Sequence, residues 1–238
     1  MGEIRVLLLN LAKVFNIARS YRKIKHSFDR KYTQLLIALI LNFMLASFLV
    51  GNVGNIILSF FFVNTMITIV RTFSIRPRIF RLYNLIALSV FVIEIIGILG
   101  FIDATQLYIS VLVQFIYAIY LSVGVYLIFG DIANSKKVTM DTIMGAICIY
   151  FLLGLCWAFL YSLCGTFDPT AFSIDYPISF NTFVYFSFTT LTTVGYGDIS
   201  PTTEITRMLT NLEAIVGQMY PAIIISILVS IYTAQRQK

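Results

Sequence analysis

The longest uncharged stretch of the chain, residues 32–70, runs for 39 consecutive residues without Asp, Glu, Lys or Arg. A helix that crosses a bilayer needs about 20 predominantly apolar residues, so this stretch is too long for one crossing and long enough for two. The sequence GNVGN (Gly51–Asn55) lies in its middle and contains residues typical of tight turns. The stretch therefore predicts two membrane helices, at about 32–50 and 55–70, joined by a turn at GNVGN.

Four further apolar runs follow, and each is long enough for one crossing. They cover residues 82–102, 104–130, 142–167 and about 205–233. Charged residues make up 12% of the chain, whereas about 25% is usual in soluble domains. The sequence therefore predicts an all-α integral membrane protein with six transmembrane helices.

The positive charges predict the orientation of these helices, because Lys and Arg collect in cytoplasmic loops. With a cytoplasmic N-terminus, six alternating crossings place every Lys and Arg except Arg207 on the cytoplasmic side, and the C-terminus lies there too. This arrangement requires the uncharged stretch Tyr176–Gly197 to enter the membrane and return to the same side. Irregular backbone at membrane depth is tolerated only where protein buries it or where it lines a watery path. We therefore expect this stretch to line a pore.

The sequence TTVGYGD lies at the end of that stretch. Backbone carbonyls can replace the hydration shell of K⁺ if successive peptides aim their oxygens at one axis. Turning every second peptide requires angles open mainly to glycine, and Gly195 and Gly197 alternate as required. Thr193 adds a hydroxyl as the innermost ligand, while Val194 and Tyr196 are expected to pack behind. One chain supplies one wall, so four chains must surround the axis in a cyclic homotetramer.

The motif TTVGYGD (Thr192–Asp198) resembles the selectivity filter of the tetrameric potassium channel superfamily. The order of outer helix (about 142–164), pore helix (about 180–190), filter and inner helix (about 203–234) is similar as well. The resemblance is strong over residues 142–238, and the first four helices match only in number and topology. It implies a prokaryotic-type channel with six transmembrane helices and one re-entrant pore loop, which conducts K⁺ passively. The K⁺ ligands carried over are Thr193, Val194, Gly195, Tyr196 and Gly197, with bound K⁺ at the first four.

The resemblance also implies roles for residues around the filter. Tyr185 and Phe186 occupy the places of aromatic residues that pack around the filter tyrosine, and Asp198 matches the acid behind the outer mouth. Some bacterial members carry a glutamate nine residues before that acid, where the two share a proton. Thr189 stands at this position here. Asp198 is therefore expected to accept a hydrogen bond from Tyr185 instead.

Two acids lie inside predicted membrane helices, where an ionisable residue marks function by default. Glu94 is either a functional group or a protonated acid hydrogen-bonded between helices. Glu213 is level with the pore helix, and we expect it to support the filter from behind by bonding to backbone or threonine hydroxyls. Thr192, just before the innermost ligand, is also expected to support the filter.

The sequence GQMYP (Gly217–Pro221) predicts a bend in the inner helix. Gly217 matches the hinge glycine of the family, and Pro221 cannot donate a hydrogen bond to the carbonyl of Gly217. Sharp kinks usually lie at such residues. The alternative is that both residues only permit close packing. Gln218 is expected to face the cavity below the filter.

The first four helices, residues 32–130, are similar to a voltage-sensing domain, and residues 131–238 are predicted to form the pore domain. Each charge that crosses the membrane field is worth about 2.3 kcal/mol per 100 mV. The fourth span, Gln106–Phe129, contains no Lys or Arg. Strong voltage gating is therefore not expected.

Residues 1–31 read as a basic amphipathic segment, which lies either on the membrane surface or against the rest of the protein. Anionic lipid is a candidate partner at Arg19, Arg22, Lys23 and Lys25, and an unidentified regulatory partner is also open. The basic residues group at predicted membrane edges, so nucleic acid is not expected. The predicted location is a prokaryotic plasma membrane.

Other function classes fit the sequence less well. A potassium transporter subunit would resemble fused pore units with degraded filters, whereas this chain has one intact motif. A receptor or scaffold with a non-conducting pore fold stays open. No nucleophile–base pair, metal motif or phosphate loop is present, so neither an enzyme nor an organic cofactor is expected.

Overall fold

The computed structural model describes residues 31–46, 48, 51–72, 77–98, 106–174 and 179–236. Within these residues the fold is mostly helical, with one short pair of strands. The elements in chain order are α1 (Lys31–Ala46), α2 (Gly51–Thr72), α3 (Pro77–Ile98), α4 (Gln106–Ala133), α5 (Met140–Phe167), β1 (Phe172–Ile174), α6 (Phe180–Leu191), β2 (Ile199–Pro201) and α7 (Glu204–Arg236).

Three helices of the described part are long and apolar enough to cross a membrane: α4 from Tyr108 onward, α5 and α7. Shorter apolar stretches occur in α1, at Lys31–Leu45, and in α2, at Ser59–Ile69. These helices support the prediction of an integral membrane protein. The number of six crossings stays a prediction.

The turn predicted at GNVGN is wrong. Helix α1 ends at Ala46 and α2 already begins at Gly51, so GNVGN forms the first turns of α2. Glycine and asparagine are well tolerated where a helix begins, because the first amides lack partners within the helix. The glycines and asparagines of GNVGN therefore mark the start of a helix and not a turn between two helices.

Helices α4 and α5 pack along each other, and α1 packs against both α2 and α5. Aromatic rings connect this group to the segment that follows. The ring of Phe159 in α5 lies 5.6 Å from Phe62 of α2 and 5.4 Å from Tyr117 of α4. The same ring lies 4.4 Å from Phe180, the first residue of α6. Phe159 thus joins the first helices to the start of the predicted pore helix.

The beginning of α1 is fixed by two acids. One carboxylate oxygen of Asp141 accepts from the backbone amides of Tyr32 and Thr33, at 3.1 and 3.3 Å. A carboxylate is favourable there because the first amides of a helix carry partial positive charge. Asp131, near the end of α4, accepts from the Lys31 ammonium at 2.8 Å and from the Tyr32 hydroxyl at 2.5 Å. The start of α1 is thereby held against the end of α4 and the start of α5.

Strands β1 and β2 pair in antiparallel fashion, with Phe172 opposite Pro201 and Ile174 opposite Ile199. This pair departs from the expected all-α fold. Helix α6 and the filter motif lie between the two strands, so the two ends of this segment are side by side. Helix α6 has 12 residues, which is about 18 Å and shorter than the ~30 Å core of a bilayer. The geometry supports the predicted re-entrant path.

Asp168 ends α5 and shapes the turn that leads to β1. One of its carboxylate oxygens accepts from the Thr170 amide at 2.8 Å and from the Thr170 hydroxyl at 2.6 Å. These two hydrogen bonds favour the ionised carboxylate and hold the pKa of Asp168 below its ordinary value. An aspartate side chain that accepts from the amide two residues further on forms a local turn, which here lies between the end of α5 and β1.

Candidate functional site

Helix α6 begins at a capping box. The Ser179 hydroxyl accepts from the Thr182 amide at 3.4 Å, and the Thr182 hydroxyl accepts from the Ser179 amide at 3.2 Å. The helix then approaches α5 closely, because an ideal Cβ added at Gly154 would lie 2.8 Å from the ring of Phe188. Serine, threonine and glycine at these positions therefore fix where α6 starts and how near α5 it lies.

The backbone after α6 alternates in handedness. Thr193, Gly195 and Gly197 have φ of 59°, 55° and 80°, in the left-handed region. The intervening Val194 and Tyr196 are not among the described residues with positive φ. A left-handed residue at every second position turns every second peptide, which is the condition for aligned carbonyls. The sequence predicted the left-handed conformation at the two glycines but not at Thr193. Thr193 lies two residues before Gly195 and so follows the same alternation.

Carbonyls at the end of α6 hold the first amides of the motif. The Thr193 amide donates to the Thr190 carbonyl at 2.9 Å. The amides of Val194 and Gly195 both donate to the Thr189 carbonyl, at 2.9 and 3.1 Å. The last carbonyls of a helix lack partners within the helix, so they can accept from the residues that follow it. Thr189 thus supports the motif through its backbone.

The side chains of Thr189 and Thr192 bond to their own helix. The Thr189 hydroxyl donates to the Phe186 carbonyl at 2.9 Å, and the Thr192 hydroxyl donates to the Phe188 carbonyl at 2.6 Å. Thr192 also caps the C-terminus of α6, with its amide donating to the Phe188 carbonyl. Both threonines therefore tighten the last turns of the helix that carries the motif.

The hydrogen bond expected between Tyr185 and Asp198 is present. The Tyr185 hydroxyl donates to a carboxylate oxygen of Asp198 at 2.8 Å. The Tyr185 ring also stacks on Tyr196, with centroids 6.2 Å apart and an angle of 2° between the planes. Tyr185 therefore holds the outer end of the motif by both its ring and its hydroxyl.

Phe186 packs against the outer helix and β1 within one chain, and its predicted place beside the filter tyrosine stays a prediction. Within one chain its ring is buried against Tyr161 of α5, at 4.9 Å, and against Phe172 of β1, at 5.4 Å. Neighbouring residues of a helix point about 100° apart, so Tyr185 and Phe186 serve different faces of α6. Phe186 fastens α6 to the outer helix, whereas Tyr185 stacks on Tyr196.

Glu213 of α7 is completely buried beside α6. The Tyr161 hydroxyl lies 2.6 Å from one of its carboxyl oxygens, and the Ser187 hydroxyl lies 2.5 Å from the other. The expected level beside α6 is thus observed, but the partners are a tyrosine and a serine and not threonine hydroxyls. The spacing of the sequence predicted how far along α7 Glu213 lies, but it predicted neither of its two hydrogen-bond partners.

Gly217 packs against the end of α6. An ideal Cβ at Gly217 would lie 2.0 Å from the carbonyl oxygen of Leu191. That oxygen accepts a hydrogen bond from the Tyr150 hydroxyl at 3.1 Å. The ring of Tyr150 lies 5.7 Å from Tyr220, whose hydroxyl donates to the Ala146 carbonyl at 2.6 Å. These contacts favour a close-packing role for Gly217.

The proposed hinge itself stays a prediction. Pro221 lies inside α7, which continues as a helix from Glu204 to Arg236. Gln218 follows Gly217 and is exposed within one chain. Its predicted position in a cavity requires neighbouring chains and also stays a prediction.

Glu94 of α3 is hydrogen-bonded to two other helices, while its protonation and the alternative functional role both stay predictions. Its carboxyl oxygen accepts from the Tyr117 hydroxyl of α4 at 2.8 Å, and it also bonds to Ser59 of α2. The acid therefore ties three of the first four helices together.

The four basic residues suggested for lipid binding, at 19, 22, 23 and 25, lie outside the described residues.

Residues 147–234 match the family model named Ion channel (Ion_trans_2). This segment is an ion-channel domain. The ion-channel domain contains most of α5, both strands, α6, the motif and nearly all of α7. Its match confirms the resemblance to the channel superfamily. Comparison of the chain with curated proteins and with solved structures gave no match.

Proposed function

We propose that the protein is a K⁺-selective channel that conducts passively through the carbonyls of the motif TVGYG. The observation that carries this proposal is the left-handed backbone at Thr193, Gly195 and Gly197, every second residue of the motif. Rings of carbonyls substitute for the hydration shell of K⁺ when their oxygens face a common axis. K⁺ then binds at Thr193, Val194, Gly195 and Tyr196. No organic cofactor takes part.

Four copies of the chain enclose this path. Val194 and Tyr196 are 54% and 71% exposed in a single chain, although large apolar residues of this kind usually pack. Helix α7 exposes a further set of apolar side chains, which are Ile205, Met208, Leu212, Ile215, Met219 and Ile223. In a cyclic homotetramer the neighbouring chains cover both groups of side chains. Each chain then supplies a quarter of every carbonyl ring.

The proposed setting is a prokaryotic plasma membrane with both termini in the cytoplasm. The charge asymmetry supports this orientation, with Arg207 as the one basic residue outside. Lys136 and Lys137, which follow α4, lie on the cytoplasmic side in this arrangement. Anionic lipid at the basic N-terminal segment belongs to the same proposal.

Flux measurements on the purified protein test conduction. Liposomes loaded with K⁺ and containing only this protein are expected to release K⁺ rapidly once a charge-balancing protonophore is added. Patch recordings of the same liposomes are expected to show unitary current steps, which a transporter does not produce. Absence of flux from correctly assembled tetramers would contradict the proposal and favour a non-conducting scaffold.

The channel is expected to depend only weakly on voltage. Helix α4 contains no Lys or Arg from Gln106 to Ala133, so it brings no positive charge into the membrane field. Conductance measured over a wide voltage range should change gradually. A steep, saturating curve that corresponds to several gating charges per chain would contradict this prediction.

The substitution Tyr185→Phe tests the support of the outer mouth. It keeps the ring on Tyr196 and removes the hydrogen bond to Asp198, and a bond to a charged acceptor is worth about 1.5–3 kcal/mol. We expect sustained K⁺ currents to decline on the order of tenfold faster, with K⁺ preference retained. Tyr126→Phe, the same change on an exposed tyrosine of α4, is the matched control. Parent-like currents in Tyr185→Phe would show that the bond is dispensable.

A further inference from the structure

The carboxyl of Glu213 lies at a junction of three helices of the ion-channel domain. Glu213 belongs to α7, Tyr161 to α5 and Ser187 to α6, and the side chains of all three are buried. Among the described residues, the ion pair within 4.0 Å is Lys31–Asp131, so no cation balances Glu213 there. A buried carboxylate without a cation carries a large desolvation penalty.

The two short contacts of the Ser187 oxygen require two protons, whereas its hydroxyl carries one. The Ser187 oxygen lies 2.7 Å from the Gly154 carbonyl oxygen and 2.5 Å from a Glu213 carboxyl oxygen. A carbonyl only accepts, and a serine hydroxyl has a single proton to donate. If Ser187 donates to Gly154, the proton in the short contact to Glu213 must come from Glu213.

An ionised Glu213 would leave the Gly154 contact unexplained. Ser187 would then donate to the carboxylate, and its oxygen would face the Gly154 carbonyl at 2.7 Å with no proton between them. Two acceptors in such contact repel each other, and the penalty is not relieved by water because both groups are buried. The neutral acid satisfies every distance in the cluster, including the 2.6 Å bond accepted from Tyr161.

We propose that Glu213 is held as a neutral acid and positions the pore helix through a chain of donors. Glu213 donates to Ser187, Ser187 donates to the Gly154 carbonyl, and Tyr161 donates to Glu213. The inner helix, pore helix and outer helix are thereby joined at one point behind the filter. The role as a positioning residue rests on the proposed function, whereas the protonation state does not.

The substitution Glu213→Gln separates a neutral acid from a carboxylate. A glutamine amide donates to Ser187 through its N–H and accepts from Tyr161 through its oxygen, which repeats the pattern of the neutral acid. We expect Glu213→Gln to keep K⁺ flux within about twofold of the parent. Glu213→Leu and Ser187→Ala break the chain of donors and leave buried polar groups unpaired, so flux should fall on the order of tenfold. Glu204→Gln and Glu204→Leu make the same changes at the exposed start of α7 and are the controls.

Infrared spectroscopy tests the protonation state without reference to conduction. At neutral pH the difference between the parent and Glu213→Gln should contain the carbonyl stretch of a protonated carboxylic acid, which the Glu204→Gln difference should lack. Absence of this band in the parent, or a flux loss in Glu213→Gln as large as in Glu213→Leu, would overturn the proposal. If the parent protein does not prefer K⁺ over Na⁺, the proposed function is contradicted. The protonation of Glu213 is then still tested, because the infrared band is measured without conduction.

Discussion

The substitution Gly195→Ala is expected to abolish the preference for K⁺ over Na⁺. Gly195 has a φ of 55°, and an L-residue in the left-handed region costs roughly 1–2 kcal/mol. None of the described residues lies within 4 Å of a Cβ built there, so the effect is conformational and not a clash with them. In the proposed tetramer this cost is repeated in each of four chains around one axis. We therefore expect the carbonyl ring to lose its fixed diameter.

Reversal potentials under opposed K⁺ and Na⁺ solutions measure this effect. Gly197→Ala, at a φ of 80°, should act in the same direction. Gly130→Ala is the matched control, because Gly130 lies in helix α4 and a Cβ there also has no atom of the described part of the chain within 4 Å. An unaltered K⁺ preference in Gly195→Ala would contradict the assignment of the filter.

The second large effect is expected from Gly217→Ala. The added Cβ would lie 2.0 Å from the Leu191 carbonyl oxygen and 3.0 Å from the Leu191 Cα, and both are backbone atoms that cannot rotate away. The inner helix and the end of the pore helix must therefore separate. Because the Thr189 and Thr190 carbonyls just before Leu191 hold the first amides of the motif, we expect the shift to reach the proposed ion path. We expect K⁺ conduction to fall more than tenfold, since overpacking alone costs about 1–3 kcal/mol per site.

Pro221→Ala distinguishes this packing role from a hinge. It restores the hydrogen bond to the Gly217 carbonyl and leaves the contact with Leu191 untouched. If the inner helix bends there, Pro221→Ala lowers the open probability and retains K⁺ preference, and single-channel recording measures both. Parent-like opening in Pro221→Ala would place the gate elsewhere than this turn. Normal conduction in Gly217→Ala would contradict the close contact itself.

The parts of the site that the sequence predicted depend on short stretches of chain. The alternation of Gly195 and Gly197 shows directly where the backbone must turn, because few other residues adopt those angles. The bond between Tyr185 and Asp198 followed from the position of each residue relative to the motif. The approximate positions of α4, α5 and α7 followed from apolar runs, since the bilayer fixes how many apolar residues a crossing needs.

The parts that the sequence did not predict depend on packing between distant elements. Nothing in the spacing of Gly217 shows that it touches Leu191, because that contact depends on how α7 crosses α6. Ser187 became a partner of Glu213 only once the two helices were placed side by side. The turn at GNVGN was wrongly predicted for a different reason, since glycine and asparagine are common both in turns and where helices begin.

The reversal potential of the parent protein, purified and reconstituted alone, tests the central claim most directly. With K⁺ on one side of the bilayer and Na⁺ on the other, the current should reverse close to the potential that K⁺ alone would set. The alternating left-handed backbone after α6 leads us to expect this result, and replacing K⁺ by Rb⁺ should change it little. Reversal near zero, with Na⁺ passing as readily as K⁺, would contradict the account.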